Sequence, residues 1–343
     1  MSTSPTQRVT IADVARYAGV STATVSRVIN GQGVVSPHTV TRVEAAIAAL
    51  DFAPHMGASE LAGRRPNTIG LIFPGIGDPF LAASLQGIED VIAAAGFELL
   101  LHVGRTRREQ RYYLPIGEHN ADGIIVFGDG LHPQEIQRFH ARGFPLVLLH
   151  GRPPEGLAIP AVAFANEAGA RAMVDHLVAC GHRRIAFLRG PTGNADAAQR
   201  AQGFQAGMAA HELVIAPTLI ADGGFDAECA ADAVANWLVQ DVEMDAIFAA
   251  DDTSARGAIF ALQQAGLRVP ADIAVVGFDD DRFARYMTPP LTTVRAPIEE
   301  AGRIAAAQLL MRIESGRTED ETAPSLTLLP TELVVRQSCG WSE

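Results

Sequence analysis

Hydroxyl side chains and one guanidinium group are concentrated near the start of the chain, in a pattern suited to binding a polyanion. The hydroxyl groups can donate hydrogen bonds to phosphate oxygens, and they belong to Thr10, Ser21, Thr24 and Ser26. Arg27 lies one helical turn beyond two small residues, Thr22 and Ala23. Small residues would let a helix approach the base edges closely, and Arg27 could then donate two hydrogen bonds to one guanine. Phosphate contacts would position the protein, and the arginine would read the sequence.

Two short helices joined by a glycine turn are predicted to carry these side chains. Thr10 and Ser21 can each cap a helix by accepting a hydrogen bond from an unpaired backbone N–H group, and Gly19 can adopt the positive φ that ends the first helix. Apolar residues at helical spacing would bury one face of each helix: Ile11, Val14 and Ala15 in the first, and Val25, Val28 and Ile29 in the second. A third helix is predicted over residues 36–50. This pattern predicts a helix-turn-helix, whose second helix enters the DNA major groove; an ordinary helical hairpin inside a core is the alternative.

The composition is that of a globular protein with substantial hydrophobic cores. Of the 343 residues, 48% are hydrophobic and 19% are charged, and no apolar run approaches the length needed to span a bilayer. The amino terminus lacks the apolar segment of a signal peptide, so a cytoplasmic protein is expected. The three cysteines are far apart in sequence, and the ten histidines lack metal-ligand spacing. Reduced thiols are therefore expected, with no metal site and no cofactor.

Charge is distributed unevenly along the chain. The formal net charge is −12, yet residues 1–65 carry six Arg and only four acidic residues, a local charge of +2. The remaining residues carry 21 Arg and 35 acidic residues, a charge of −14. A weakly basic first segment on an acidic body suits a protein that contacts DNA only at one end.

From residue 69 onward, short apolar runs alternate with segments of helical periodicity. Strands are predicted at 69–73, 97–103, 123–127, 146–150, 162–164, 185–188, 218–220, 246–249 and 274–277. Helices are predicted between them at 80–95, 107–118, 133–141, 166–179, 199–210, 227–239 and 252–265. This alternation predicts parallel sheets covered by helices on both faces, arranged as two lobes. Ligands of such sheets bind at the carboxyl ends of the strands, so the cleft between the lobes is the expected binding site.

The stretch from Val9 to Asn30, VTIADVARYAGVSTATVSRVIN, resembles the DNA-binding headpiece of the lactose-repressor (LacI) family, with its signature T-I-x-D-V-A-x-x-A-G-V-S-x-x-T-V-S-R-V-x-N. The resemblance continues in four later segments, at 181–185, 266–270, 276–280 and 290–294. It implies an all-α helix-turn-helix headpiece at 1–52, a hinge at 53–66, and an effector-binding and dimerisation core at 67–343. The core would be an α/β bilobal structure similar to periplasmic sugar-binding proteins. Its N-lobe would comprise about 67–164 and 292–325, and its C-lobe about 165–291 and 326–343.

The resemblance also assigns roles at the end of the headpiece and in the hinge. Asn30, the last residue of the signature, is added to the predicted DNA contacts. Leu61 is added as a wedge that opens a base step in the minor groove, and it would lie in a short hinge helix at 56–62. The hinge departs from the family pattern, because Glu60 places a negative charge near phosphates. A flexible tether is the alternative for this segment.

In the core, the resemblance implies six effector-binding residues: Asp78, Phe80, Arg200, Phe225, Asp251 and Asp279. Carboxylates accept hydrogen bonds from hydroxyl groups, arginine donates a fork, and a phenylalanine covers an apolar ring face, so the set suits a sugar or another polyhydroxylated ligand. Each residue has a structural alternative: the aspartates at 78 and 251 could cap helices, the phenylalanines could be core, and Arg200 could pair with a structural carboxylate. The acidic triplet 279–281 could be a metal cluster, a carboxylate pair or a solvated acidic loop, and the resemblance implies that only Asp279 binds effector. Ala165 stands where many family members carry Asp.

The expected function is sequence-specific repression of transcription. A homodimer would bind a pseudo-palindromic operator DNA, and a small sugar-like ligand between the lobes would control operator affinity; no membrane partner and no catalysis are expected. After the predicted final strand at 325–335, eight residues without a heptad repeat cannot form a coiled coil, so assembly is expected to stop at the dimer. One alternative is a bilobal solute-binding protein without DNA function. Another is a sugar-converting enzyme, although the sequence contains no catalytic motif.

Overall fold

The chain forms two compact units, residues 1–66 and 67–343, which we call the head and the core. The computed structural model describes residues 9–29, 35–52, 66–73, 75, 79–103, 115–128, 130–316 and 326–341. Each unit has a hydrophobic core of its own. None of the described helices is long and apolar enough to cross a membrane.

Three helices form the described part of the head: α1 (Ile11–Ala18), α2 (Thr22–Ile29) and α3 (Pro37–Leu50). Thr10 caps α1, because its hydroxyl accepts a hydrogen bond from the Asp13 backbone N–H while the Asp13 carboxylate accepts one from the Thr10 N–H. Gly19 ends α1 at φ 62°, as predicted. The helices bury a small apolar core of Val14, Ala15, Ala18, Val25, Val43 and Ala46. Ile11 departs from the prediction, since its side chain is 36% exposed.

The core alternates strands and helices. Its described strands are β1 (Thr68–Phe73), β2 (Glu98–Val103), β3 (Gly123–Phe127), β4 (Leu146–Leu149), β5 (Ala161–Phe164), β6 (Ile185–Arg189), β7 (Ile220–Asp222), β8 (Ala246–Ala249), β9 (Ala274–Val276), β10 (Thr293–Arg295), β11 (Leu326–Leu329) and β12 (Glu332–Val334). Its described helices are α4 (Pro79–Ala94), α5 (Pro133–Ala141), α6 (Asn166–Ala179), α7 (Ala195–Ala210), α8 (Ala227–Val239), α9 (Asp252–Gln264) and α10 (Ile298–Ser315).

Two parallel sheets define the two lobes. The N-lobe sheet has six strands in the order β11-β5-β4-β3-β1-β2, and the C-lobe sheet has four in the order β7-β6-β8-β9. Strands such as β3 and β4 are buried along their whole length, as expected for a parallel sheet covered on both faces. A separate antiparallel pair is formed by β10 and β12. The predicted bilobal α/β architecture is confirmed.

Strand β11 changes the predicted division of the lobes. It pairs in parallel with β5 at the edge of the N-lobe sheet, where Leu326 lies opposite Ala161. The sequence-based assignment of 326–343 to the C-lobe is therefore wrong for β11. The predicted single strand at 325–335 is two strands, because Pro330 has no N–H group with which to continue a ladder and separates β11 from β12.

Helix α10 is not predicted from the sequence, yet it covers one face of the N-lobe sheet. Much of its buried face consists of small residues such as Ala301 and Ala305, so its apolar periodicity is weak. Glycine permits its close packing on α4: a Cβ atom at Gly87 would lie only 1.9 Å from the carbonyl oxygen of Glu299.

Three other predicted elements differ in their bounds. Helix α7 begins at Ala195 and not at 199, because the Asn194 side chain caps it by accepting a hydrogen bond from the Ala197 N–H (2.9 Å). The predicted strand at 218–220 is instead a 3₁₀ turn, Pro217–Leu219, followed by β7. Of the predicted helix at 107–118, residues 115–118 form bends and a turn, and the earlier part lies outside the described residues.

Candidate functional site

A cavity of about 320 Å³ lies at the carboxyl ends of strands from both sheets, where the sequence predicts a binding cleft. Its N-lobe side, which we call the aromatic wall, consists of Phe73, Phe80, Phe127 and His150. Its C-lobe side, which we call the charged wall, consists mainly of Asn194, Asp196, Arg200, Phe225, Asp251, Asp279 and Asp281. An aromatic surface thus faces a surface rich in carboxylates across one cavity.

The aromatic wall is a cluster of rings around His150. The centroid of the His150 ring lies 4.3 Å from that of Phe80 and 4.7 Å from that of Phe164. His150 follows β4 directly and has a left-handed backbone conformation (φ 58°). Gly128 makes room for it, because a Cβ atom there would lie 1.9 Å from the His150 carbonyl oxygen. The imidazole is therefore held in a fixed place at the edge of the cavity.

Both ring nitrogens of His150 are buried and have no hydrogen-bond partner among the described residues. Nδ1 lies 3.6 Å from Oδ2 of Asp196, on the opposite wall, which is longer than a hydrogen bond. A buried polar atom without a partner costs about 1–3 kcal/mol. A ligand that supplies a hydrogen-bond partner would therefore gain binding free energy of about that size. Sequence reasoning missed His150; the available signal was a polar residue at the carboxyl end of a predicted buried strand.

Arg200 is the centre of the charged wall. Its guanidinium donates to both carboxylate oxygens of Asp279 (2.7 and 3.2 Å) and to Oδ1 of Asn166 (3.0 Å). The Phe278 ring lies against it, with its centroid 3.9 Å from the guanidinium carbon. Burial lowers the pKa of Arg200, but the carboxylates of Asp279 and Asp196 more than offset this and raise the pKa. Arg200 therefore remains charged although it is buried.

Asp196 brings a second carboxylate toward the aromatic wall. It accepts a hydrogen bond from Nδ2 of Asn166 (2.9 Å). Burial raises the pKa of Asp196, but interactions with His150 and Arg200 more than offset this and lower the pKa below its usual value. Sequence reasoning missed Asp196 and Asn166, because nothing in their local sequence marks the contact between α6 and α7 that joins them.

Asp251 combines a structural role with a position at the cavity. Its carboxylate caps α9 by accepting hydrogen bonds from the backbone N–H groups of Thr253 (3.2 Å) and Ser254 (3.1 Å), and the residue also lines the cavity. Burial raises the pKa of Asp251 to about 6, and the nearby Asp279 carboxylate adds to this effect. The capping alternative and the lining position therefore coexist in one residue.

The three members of the acidic triplet have different surroundings. Asp279 faces Arg200, whereas Asp280 forms ion pairs with Arg295 (2.8 Å) and Arg336 (2.6 Å). Asp281 lines the cavity together with Asp279. Asp281 therefore lies at the cavity surface beside Asp279, and the assignment of effector binding to Asp279 alone stays a prediction.

On the head, helix α2 presents the predicted polar face to solvent. Its exposed residues are Thr22, Ala23 and Arg27, and its partly exposed residues include Thr24 and Ser26. Val25 is fully buried, and Val28 and Ile29 pack beside it at the edge of the core. The outward face therefore carries one guanidinium among small and hydroxyl side chains.

Some of the predicted hydroxyl contacts are already engaged within the head. The Thr10 hydroxyl donates to Oδ2 of Asp13 (2.6 Å), and Oγ of Ser21 accepts a hydrogen bond from the Thr24 N–H (3.1 Å). Sequence reasoning missed Arg42, which donates from α3 to the carbonyl oxygens at the end of α1. Arg42 thereby fixes the turn that orients α2.

Comparison with known proteins covers both units of the chain. The model described as bacterial regulatory proteins, lacI family, matches residues 10–55, and the periplasmic binding protein-like domain matches residues 174–339. The HTH-type transcriptional regulator CelR of Thermobifida fusca is 34% identical to this chain, over 97% of this chain and 98% of its own length. The chain belongs to the LacI family.

Solved structures of LacI-family proteins are similar along nearly the whole chain. A complex of the transcriptional regulator CelR with cellobiose is 32% identical, with a TM-score of 0.69, over 96% of this chain and 100% of that one. The Lac repressor dimer bound to operator and the anti-inducer ONPF is 29% identical, with a TM-score of 0.78, over 97% of this chain and 99% of that one. The predicted family and the predicted function as a DNA-binding transcriptional repressor are confirmed.

Most of the effector-binding residues that the family resemblance implies lie together at the cavity. Five of the six line the cavity: Phe80, Arg200, Phe225, Asp251 and Asp279. The sixth, Asp78, lies outside the described residues, as do Asn30 and Leu61 of the predicted DNA contacts. Ala165 offers no polar side chain, and the adjacent Asn166 supplies a polar contact to Arg200 instead. The binding role of each residue stays a prediction.

Proposed function

We propose that this repressor binds a pseudo-palindromic operator as a homodimer in the cytoplasm, and that a sugar-like ligand in the cavity controls its operator affinity. The observation that carries the ligand class is the pairing of an aromatic wall with a charged wall. Aromatic rings pack on apolar ring faces, whereas carboxylates and guanidinium groups bind hydroxyls. The cellobiose in the CelR complex is a ligand of this class. At about 320 Å³, the cavity suits a mono- or disaccharide.

Each wall has a distinct part in this proposal. Phe80 covers one apolar face of the ligand, and Phe225 covers another from the charged wall. His150 and Asp196 exchange hydrogen bonds with ligand hydroxyls. Asp279 is held by Arg200, and Asp251 is held by backbone N–H groups. These engagements give both aspartates structural roles, and the relatives are transcriptional regulators, so we propose no catalytic activity.

A ligand that touches both walls provides a physical means of control. It binds most tightly to the arrangement of the lobes that brings both walls against it, and such differential affinity is what shifts a conformational equilibrium. Two heads are required on the DNA, because one small domain makes too few base contacts for useful specificity.

A thermal-shift screen of the full-length protein tests the ligand class. The panel holds mono- and disaccharides, their phosphorylated forms, nucleobases and amino acids. Ligand binding raises the unfolding midpoint by mass action, and we expect hits only among polyhydroxylated compounds. A compound that raises the unfolding midpoint of the wild type should no longer do so in Phe80→Ala. It should still do so in Phe260→Ala, since Phe260 is exposed on α9 away from the cavity lining. Hits confined to flat, unhydroxylated compounds would overturn the sugar assignment.

Arg27 tests the proposed reading of DNA. Arg27→Ala should cost about 1–3 kcal/mol at one base pair of each half-site and relax specificity there. Arg16→Ala is the matched control, because Arg16 is exposed on α1, where it pairs with Asp13. Binding of a library of operator variants gives the answer. Equal weakening on every sequence would reduce Arg27 to a phosphate contact.

A further inference from the structure

A second polar cluster lies outside the residues that line the cavity, where the end of α6 meets the C-terminal segment. His176 and Cys180 are one helical turn apart at the end of α6, so their side chains lie on one face. Cys339 approaches this face from the segment after β12 and is fully buried. Sequence separation argued against a shared site for these cysteines, but the fold brings them together.

The three ligand atoms converge. His176 Nε2 lies 3.3 Å from Cys339 Sγ and 3.5 Å from Cys180 Sγ, and all three atoms lie within 4.8 Å of one another. In a tetrahedral zinc site with Zn–S about 2.3 Å and Zn–N about 2.0 Å, nitrogen and sulfur ligands are about 3.5 Å apart. The two observed nitrogen–sulfur separations, 3.3 and 3.5 Å, fit ligands of one shared metal ion.

Hydrogen bonding accounts for only part of this arrangement: Cys339 Sγ also donates to the carbonyl oxygen of Arg336 (3.7 Å), but His176 Nε2 has more neighbours than it can bond. Nε2 of a neutral imidazole carries either one proton or one lone pair, so it can form one good hydrogen bond, yet it faces two sulfurs at similar distances. A cation bound to all three atoms would satisfy each of them. Among the described residues, this is the one group of three or more such side chains that converges in this way.

The surrounding structure holds Cys339 in place. His182 Nε2 lies 3.0 Å from the Cys339 carbonyl oxygen and donates to it, and the hydroxyl of Ser338 accepts a hydrogen bond from the Thr292 N–H (2.8 Å). The backbone carbonyl of Cys339 and the side chain of the adjacent Ser338 are thus both tied to neighbouring segments.

We infer that His176, Cys180 and Cys339 bind one thiophilic d¹⁰ metal ion, Zn²⁺ or Cu⁺. Thiolates and imidazole are the donors that these ions prefer. Three protein ligands complete a trigonal Cu⁺ site, or leave one position for water on Zn²⁺. His176 and Cys180 are partly exposed, so that position opens toward solvent. Each coordinating thiol releases its proton, so apparent affinity increases with pH.

The test uses the full-length protein, reduced and freed of metal by a chelator, with Co²⁺ as the spectroscopic probe. We expect one Co²⁺ per chain, with thiolate charge-transfer absorption and the visible bands of a tetrahedral site, displaced by one Zn²⁺. Cys180→Ser and His176→Gln should each lower affinity at least about 100-fold, since even residues behind the ligands change affinity by 10–100-fold. Cys229→Ser is the matched control, because Cys229 is exposed and outside the cluster, and it should change nothing.

Competition with a chromophoric Cu⁺ chelator then identifies the preferred ion, and tighter binding of either ion supports the inference. Absence of a charge-transfer band, or unchanged affinity in both variants, would overturn it. So would equal loss in Cys229→Ser, which would indicate adventitious thiol binding. A Cys180–Cys339 disulfide in a protein that takes up no metal after reduction would also overturn it. Thermal unfolding of each metal-free variant shows whether it is folded. If one of the two variants fails to fold, the other still gives the test, because His176 and Cys180 are both partly exposed.

Discussion

The charged wall and the aromatic wall face each other across the cavity but hold their polar atoms differently. On the charged wall, Arg200 binds Asp279, and Asp251 binds the backbone of α9. On the aromatic wall, His150 is packed among rings, and neither of its nitrogens has a hydrogen-bond partner among the described residues. The charged wall therefore contributes to stability as well as to the cavity surface, whereas the nitrogens of His150 have no hydrogen bond and only the 3.6 Å approach of Asp196 to Nδ1. Mutations on the charged wall should therefore change mainly stability, and mutations on the aromatic wall mainly ligand affinity.

The largest effect is expected from Arg200→Ala on the charged wall. It leaves the buried carboxylate of Asp279 without its partner, and breaking a buried pair in this way costs about 3–5 kcal/mol. Arg189→Ala is the matched control, because the Arg189–Asp222 pair is exposed and such pairs contribute about 0–1 kcal/mol. Urea unfolding measures both. Equal losses in the two variants would show that the charged wall has no special structural role.

The next effect is a pH dependence at Asp251, whose pKa is raised by burial from 3.8 to about 6. A carboxyl group with a raised folded-state pKa contributes stability at low pH, and that contribution is lost as pH rises through about 6. Asp251→Asn keeps a capping residue and removes this titration. Relative to wild type, the variant should gain about 2.4 kcal/mol of unfolding free energy between pH 4 and pH 7.5, because pH 4 is already slightly above the unfolded-state pKa of 3.8.

Asp226 is the control for the sign of that change. It caps α8 at an exposed position, and hydrogen bonds, led by that from the Cys229 N–H, lower its pKa. A lowered pKa contributes stability at neutral pH that is lost on acidification. The unfolding free energy of Asp226→Asn should therefore decrease relative to wild type as pH rises, whereas that of Asp251→Asn should increase. The same slope in both variants would contradict the burial of Asp251.

The smallest effect concerns the aromatic wall. His150→Phe keeps a ring against Phe80 and Phe164 but removes the two nitrogens that lack partners. Ligand affinity, measured by calorimetry with the hit from the thermal-shift screen, should fall about tenfold, or about 1.4 kcal/mol. The unfolding free energy should fall less than in Arg200→Ala, because Asp196 keeps its hydrogen bond from Asn166. A loss of stability with unchanged ligand affinity would reverse the roles of the two walls.

Much of the fold can be predicted from local sequence. The predicted bounds of β3, α5, α6, α8 and β8 agree with the structure, because apolar periodicity and flanking polar residues are local properties. Strand β11 shows where this fails: its apolar residues indicate a strand, but only pairing with β5 determines its lobe. Helix α10 was missed because alanine and glycine form much of its buried face.

The candidate site was predictable in part. Family resemblance located Phe80, Arg200 and Asp279 at the cavity. His150 and Asp196 were missed because they are far apart in sequence and approach each other only in the folded chain. The metal cluster is a similar case. The spacing of His176 and Cys180 is visible in the sequence, but Cys339 joins them only through the folded C-terminal segment. Residues brought together by long-range packing leave no local signal.

We expect the cavity and the DNA-binding head to be energetically coupled. The direct test measures four dissociation constants on the full-length protein: operator with and without ligand, and ligand with and without operator. We expect the ligand to change operator affinity by about 5–150-fold, and operator to change ligand affinity by the same factor, because coupling between two sites is reciprocal. A ligand that binds the cavity but leaves operator affinity unchanged would show that the cavity and the head are not coupled.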